Sequence, residues 1–160
     1  MKISISASKR FLKLDQNTNV SVPTIRGELG GLKLLLKEVK AIADEIADNI
    51  TKNISSGKKY TGGAVARLAK STIKRKGSSI PLIHTGKLLH GIIVSRAGDG
   101  YIIQFRKTRY KGGISLDKVA TYLNYGTPKM PSRPFFGITP ANARRIIVRV
   151  LSQRFKKTKA

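Results

Sequence analysis

The chain has 160 residues, 40% of them apolar, with no cysteine; that length suits one domain with a real core and excludes a disulfide scaffold or thiolate metal site. Its apolar runs fall short of the roughly 18 to 20 residues that span a bilayer, so no membrane partner is expected. Lys and Arg number 32 against 8 Asp and Glu, a net charge of +24, which makes a polyanion or an acidic protein surface the expected neighbour.

The acids are unevenly placed. Asp15, Glu28, Glu38, Asp44, Glu45 and Asp48 lie in the first 48 residues, and from residue 49 onward 24 basic residues face only Asp99 and Asp117. The C-terminal two-thirds therefore carries the field.

The opening Met1-Lys2-Ile3-Ser4-Ile5 alternates and lacks the apolar stretch of a signal peptide. Residues 1–30 read as a short strand, the polar loop Asp15-Gln16-Asn17-Thr18-Asn19, and a second edge strand at Val20 and Val22, or else as a mobile arm. From Leu32 through Leu35, Leu36, Val39, Ile42, Ala43, Ile46 and Ile50 to Ile54 the spacing is helical, so a long amphipathic helix is predicted over 31–56. Asp44, Glu45 and Asp48 cluster on its polar surface, either as an ordinary solvated face or as a docking face for a basic neighbour.

A basic loop around Lys58, Lys59 and Tyr60 follows, then a helical candidate from Ala64 to Lys76 with Val65, Leu68, Ala69 and Ile73 inward, closed by Gly77. Thr85 is a candidate cap for one short helical turn. Residues 91–97 and 101–106 alternate around Gly98-Asp99-Gly100, a hairpin signal. Beyond it, Arg106, Lys107, Arg109 and Lys111 surround Tyr110 in a loop, and Ser115 caps a helix through Leu116, Val119, Ala120 and Leu123 to Gly126.

The chain reads as organised around residues 122–140, YLNYGTPKMPSRPFFGITP. Gly126 suits a helix end. Pro128, Pro131 and Pro134 recur every third residue, the polyproline II repeat, which predicts a stiff extended strap carrying Arg133, Phe135 and Phe136. Thr139-Pro140 is an N-cap with proline at the first helical position. The last helix, 139–157 with its cap, sets Ala143, Ile146, Ile147, Val150, Leu151 and Phe155 on an apolar arc, with Arg145, Arg149 and Lys156 opposite.

Catalytic chemistry is sparse. Before Gly86-Lys87 the first glycine of a Walker A loop is Pro81, and Leu88 follows the lysine. His84 and His90 are six apart with no acid near them in sequence, which does not make a zinc site. The expectation is a protein that is not an enzyme, without cofactor or metal.

Two ordered segments, Ile80-Pro81-Leu82-Ile83-His84-Thr85-Gly86-Lys87-Leu88 and Tyr122 to Thr127 running on through Pro131-Ser132-Arg133-Pro134-Phe135-Phe136-Gly137, resemble the virion morphogenesis, or tail-completion, proteins of tailed bacteriophages. Pro81, Leu82, Thr85, Gly86 and Leu88 match a "P-L-x-x-T-G-x-L" element. Tyr122, Gly126 and Thr127, then Pro131, Arg133, Pro134, Phe135 and Gly137, match "Y-x-x-x-x-G-T" leading into "P-x-R-P-F-x-G". The likeness runs from about Leu68 to the C-terminus; Gly62-Gly63-Ala64-Val65 departs from it where the family often carries an aromatic residue.

The resemblance implies an α+β subunit without catalysis, made in the host cytoplasm and located in the virion at the tail or neck. It implies a homo-oligomeric ring, six-fold by expectation, beside neighbouring connector and tail-tube or tail-terminator proteins. The fold expected is a single domain in which a small antiparallel sheet with a central hairpin packs against the long helix and the C-terminal helix.

Arg133, Pro134, Phe135 and Phe136 are the candidate subunit interface, with Arg133 tying the strap to carbonyls or a carboxylate and one phenylalanine turned outward; the alternative puts both rings in the core and Arg133 in solvent. Arg106, Lys107, Arg109, Lys111, Arg145 and Arg149 are candidates for the DNA backbone or an acidic partner. Two rival readings are a stand-alone basic nucleic-acid-binding protein, for which no aromatic platform is evident, and a proline-rich ligand of an SH3-type domain at Pro128–Pro134.

Overall fold

The computed structural model describes residues 1–7, 11–17, 27–28, 36–98 and 100–158, and side chains for 1–5, 36–98 and 100–153. The elements in chain order are β1 (Lys2–Ala7), β2 (Phe11–Asn17), β3 (Gly27–Glu28), α1 (Leu36–Ser56), α2 (Lys70–Lys76), β4 (Ile92–Ala97), β5 (Gly100–Phe105), α3 (Leu116–Tyr125) and α4 (Pro140–Thr158). The expectations placed on Val20, Val22, Leu32, Leu35, Asp99 and the side chains of Phe155 and Lys156 lie outside the described residues.

The fold is α+β. Its antiparallel sheet has the order β3-β2-β1-β5-β4, so β1 is central and the β4–β5 hairpin occupies one edge. The chain gathers into two compact units. A sheet unit comprises Lys2–Asp48, Val94–Gln104 and Ile138–Ala160; a strap unit comprises Met1, Asn49–Ile93 and Phe105–Gly137.

In the sheet unit the period-two pattern of the N-terminus becomes real pairing. Ile3 of β1 stands opposite Ile103 of β5, and Ile5 opposite Tyr101. Ile3, Ile5 and Ile103 are fully or almost fully buried, and Val39, Ile42, Ala43 and Ile46 of α1 are equally inaccessible. Ala143, Ile146, Ile147 and Val150 of α4 complete this core. Each aliphatic side chain so buried contributes about 1.5 to 3 kcal/mol relative to exposure. β2 includes Asp15, Gln16 and Asn17, which the sequence places in a loop; pairing with Ser4, Ile3 and Lys2 of β1 holds them in the sheet.

In the strap unit the capping signals are realised. Ser115 accepts from the Lys118 N–H at 3.2 Å and starts α3. At the start of α4 in the sheet unit, Thr139 likewise accepts from the Asn142 N–H at 3.3 Å. Two expectations are corrected. The helix predicted over 64–76 begins only at Lys70, because the backbone before it is committed elsewhere: the Val65 N–H donates to the Gly57 carbonyl, and Ala64 bridges Lys58. The strap is not one straight polyproline segment either. Thr127 and Met130 exchange both backbone hydrogen bonds, at 2.8 and 3.0 Å, so the chain reverses at Pro128-Lys129 before running on from Pro131.

Candidate functional site

The site is built where that reversal returns the chain to α3. Gly126 follows the helix with φ +81°, and a Cβ there would lie 2.8 Å from both the Met130 carbonyl oxygen and the Ser132 nitrogen. Only glycine fits this turn. The Arg133 N–H then donates to the Leu123 carbonyl at 2.8 Å, fastening the returning segment to the helix.

Arg133 is 97% buried, with a side chain directed at backbone. Its Nε donates to the Ala66 carbonyl at 2.8 Å, and Nη2 to the Arg67 carbonyl at 3.0 Å. The planar fork of guanidinium donors serves two successive carbonyls, a geometry lysine cannot reproduce. These are carbonyls that the helix predicted over 64–76 would have used in its first turns. Burial lowers the Arg133 pKa from its ordinary value.

Phe135 and Phe136 are 0% and 1% exposed. Both rings meet Phe105, with centroids at 6.4 Å in an edge arrangement and at 5.3 Å in a tilted one. The expectation that one ring points outward is therefore corrected: both belong to the core of the chain itself, because polar groups draw the backbone between them inward. Asn124 Oδ1 accepts from the Phe136 N–H at 3.0 Å, Asn53 Nδ2 reaches the Phe135 carbonyl at 3.4 Å, and the Tyr60 N–H donates to the Pro134 carbonyl at 2.9 Å. Pro134 is half-buried.

Asn53, Asn124 and Tyr60 thus form a clasp around the backbone of 134–136, a role that sequence reasoning missed. Gly137 carried the one usable signal, since a Cβ there would sit 2.9 Å from the Tyr60 ring.

The two segments singled out in the sequence meet at a cleft of about 560 Å³. Pro81, Leu82, Thr85, Gly86 and Leu88 line it from one side. Leu123, Met130 and Arg133 line it from the other. The segment 86–90 forms one helical turn, with the His90 N–H donating to the Gly86 carbonyl at 3.0 Å. Thr85 hydrogen-bonds Tyr110, whose phenol pKa is raised, chiefly by burial.

The charged candidates fall in both units. In the strap unit Arg106, Lys107, Arg109 and Lys111 are all exposed. Arg109 donates to the Gly113 carbonyl at 2.9 Å, and Lys87, whose Nζ lies 5.1 Å from the Tyr110 ring centroid, donates to the Arg109 carbonyl. In the sheet unit Arg145 is exposed, whereas Arg149 forms an ion pair with Glu45. Lys40 pairs with Asp44 at 2.7 Å, and this hydrogen bond raises the Lys40 pKa. The acidic face expected on α1 is thus largely matched by cations of its own unit, with Asp48 exposed beside it.

Comparison of the chain with protein-family models, with curated proteins and with solved structures finds no match. Among the described residues no helix is long and apolar enough to cross a membrane, and no group of three or more His, Cys, Asp or Glu is placed to hold a metal ion.

Proposed function

We propose that this protein is a structural subunit of a tailed-bacteriophage particle, a tail-completion or head-tail connector subunit that assembles into a ring at the upper end of the tail. The observation that carries this reading is the convergence of the two segments with the phage resemblance: 80–88 and 122–137, far apart in sequence, line one cleft and belong to one compact unit. Their polar groups support the reading too. Arg133 and Asn124 are occupied in holding backbone rather than poised for reaction, as suits a part whose work is shape. The ring would draw on the surface of the clasped unit, not on the two buried phenylalanines. Exposed Arg106, Lys107, Lys111 and Arg145 are its candidates for the DNA backbone or an acidic ring.

Electron microscopy of particles made with and without this gene, with protein identification in purified virions, tests the proposal. Full heads separate from unjoined or overlong tails are expected in its absence, and the protein is expected in wild-type virions. Normal particles that lack the protein would overturn it and favour the stand-alone nucleic-acid-binding reading.

A further inference from the structure

The cleft between the two segments has a one-sided chemistry. Its walls are aliphatic, with Leu82, Leu88, Val119 and Leu123 among them, while Arg75, Lys76 and Arg133 are the charged residues that line it. No carboxylate lines it among the described residues. Burial and the nearby Arg133 charge both lower the Lys76 pKa from its ordinary value. Lys76 and Arg133 line the same cleft, and among the described residues their side chains donate to backbone carbonyls, Lys76 to that of Ile80 and Arg133 to those of Ala66 and Arg67.

Such a site lacks a negative group, and the chain has few to give. Among the described acids, Asp44, Glu45 and Asp117 are already paired with Lys40, Arg149 and the N-terminal ammonium, Glu38 is buried, and exposed Asp48 belongs to the sheet unit and does not line the cleft. No described carboxylate of the chain meets this edge, and one carried by another molecule would complement it. Nucleic acid is a poor fit, because phosphates gain nothing from leucine walls and bind through exposed cations. A side chain of leucine or phenylalanine size fits the cleft volume, with a carboxylate next to it meeting the cationic edge.

We infer that this cleft is a docking site for a partner protein, and that it takes a short acidic segment in which aliphatic or aromatic side chains alternate with Asp or Glu. The aliphatic walls bury the apolar anchor, and Arg75 and Lys76 at the edge receive the carboxylates. Complementary charge sets the choice of partner and the register, while the buried anchor supplies the affinity. The inference goes beyond the ring proposal and stands without it.

The test is selection of a random-peptide display library on the immobilised full chain, followed by affinity measurement of the enriched peptides as synthetic, labelled molecules. Enriched sequences that combine acids with Leu, Ile or Phe are expected. Lys76→Glu and Arg75→Glu should each weaken them at least about tenfold, a change of roughly 1.4 kcal/mol. Lys52→Glu, the same charge change at an exposed position of α1 that does not line the cleft, should shift affinity by less than about twofold, since a distant surface charge is screened by salt.

Equal losses in all three variants would reduce the effect to net charge and overturn the inference. So would enrichment of peptides without acids, or no enrichment. Displacement of the peptides by dodecanoate, or by a short DNA duplex, at lower concentration than by unlabelled peptide would assign the cleft to a small amphiphile or to nucleic acid instead.

Discussion

In the sheet unit the backbone is satisfied by its own regularity: β1 pairs with β2 on one side and β5 on the other, and aliphatic side chains close the face. In the strap unit the chain from Pro131 to Gly137 belongs to no helix or strand, yet Arg133, Phe135, Phe136 and Gly137 within it are buried. Its carbonyls and amides are met by side chains and loop backbone drawn from Asn53, Tyr60 and Asn124. A periodic unit spreads its stability over many similar contacts, so one trimmed methyl group is absorbed. An aperiodic unit concentrates it in a few unlike contacts, each with no substitute.

The largest contrast is expected at the aromatic cluster. Phe135→Ala removes a fully buried ring that meets Phe105, and should cost about 4 kcal/mol of unfolding free energy. Ile103→Val, in the centre of the sheet core, should cost about 1 kcal/mol. Urea titration of both full-length variants measures the difference. Equal costs would mean that the strap is no more dependent on single contacts than the sheet.

Asn124→Ala sharpens the comparison at intermediate size. It leaves the Phe136 N–H buried without its acceptor, and the expected loss is about 2 kcal/mol, most of it the penalty of an unmet polar group. Amide exchange decides between this and simple loss of packing: the Phe136 amide should exchange faster while amides of β1 keep their protection. Uniform acceleration across both units would show that the clasp is not a local device.

The same difference explains what could be read in advance. The three-four spacing from Val39 to Ile54 and the two-residue spacing of Ile3 and Ile5 are signals of period, and the burial of those residues follows them closely. Ser115 and Thr139 announced α3 and α4 because a cap is a local event. The placement of Val65, Leu68, Ala69 and Ile73 suggested a helix from Ala64 to Lys76, but the fate of the Ala66 and Arg67 carbonyls was decided by an arginine more than sixty residues away. Asn124 was hidden for the same reason, since its partner at Phe136 is not a neighbour on the helix. Phe135 and Phe136 allowed two readings, and the one with a ring turned outward failed because it took neighbours on an extended strand to face opposite ways, whereas this segment is not a strand. Of the candidate site, the arginine and its role were visible, while the cleft it helps to line was not.

The smallest effect is expected on the surface of the sheet unit. Arg149 and Glu45 form an ion pair with side chains 58% and 27% exposed. Pairs of this kind contribute at most about 1 kcal/mol, and less as salt screens them over a Debye length of about 8 Å at physiological ionic strength. Glu45→Gln should therefore lower the urea midpoint slightly at low salt and leave it unchanged at high salt. The variant also separates two fates for Arg149. If this side chain meets phosphate, releasing it from Glu45 adds one cation to the contact, and the slope of log affinity for a DNA duplex against log salt should steepen by about 0.9. If Arg149 serves only to join α4 to α1, the slope stays as it is in the wild type, and the phosphate candidates reduce to Arg145 and the loop Arg106–Lys111.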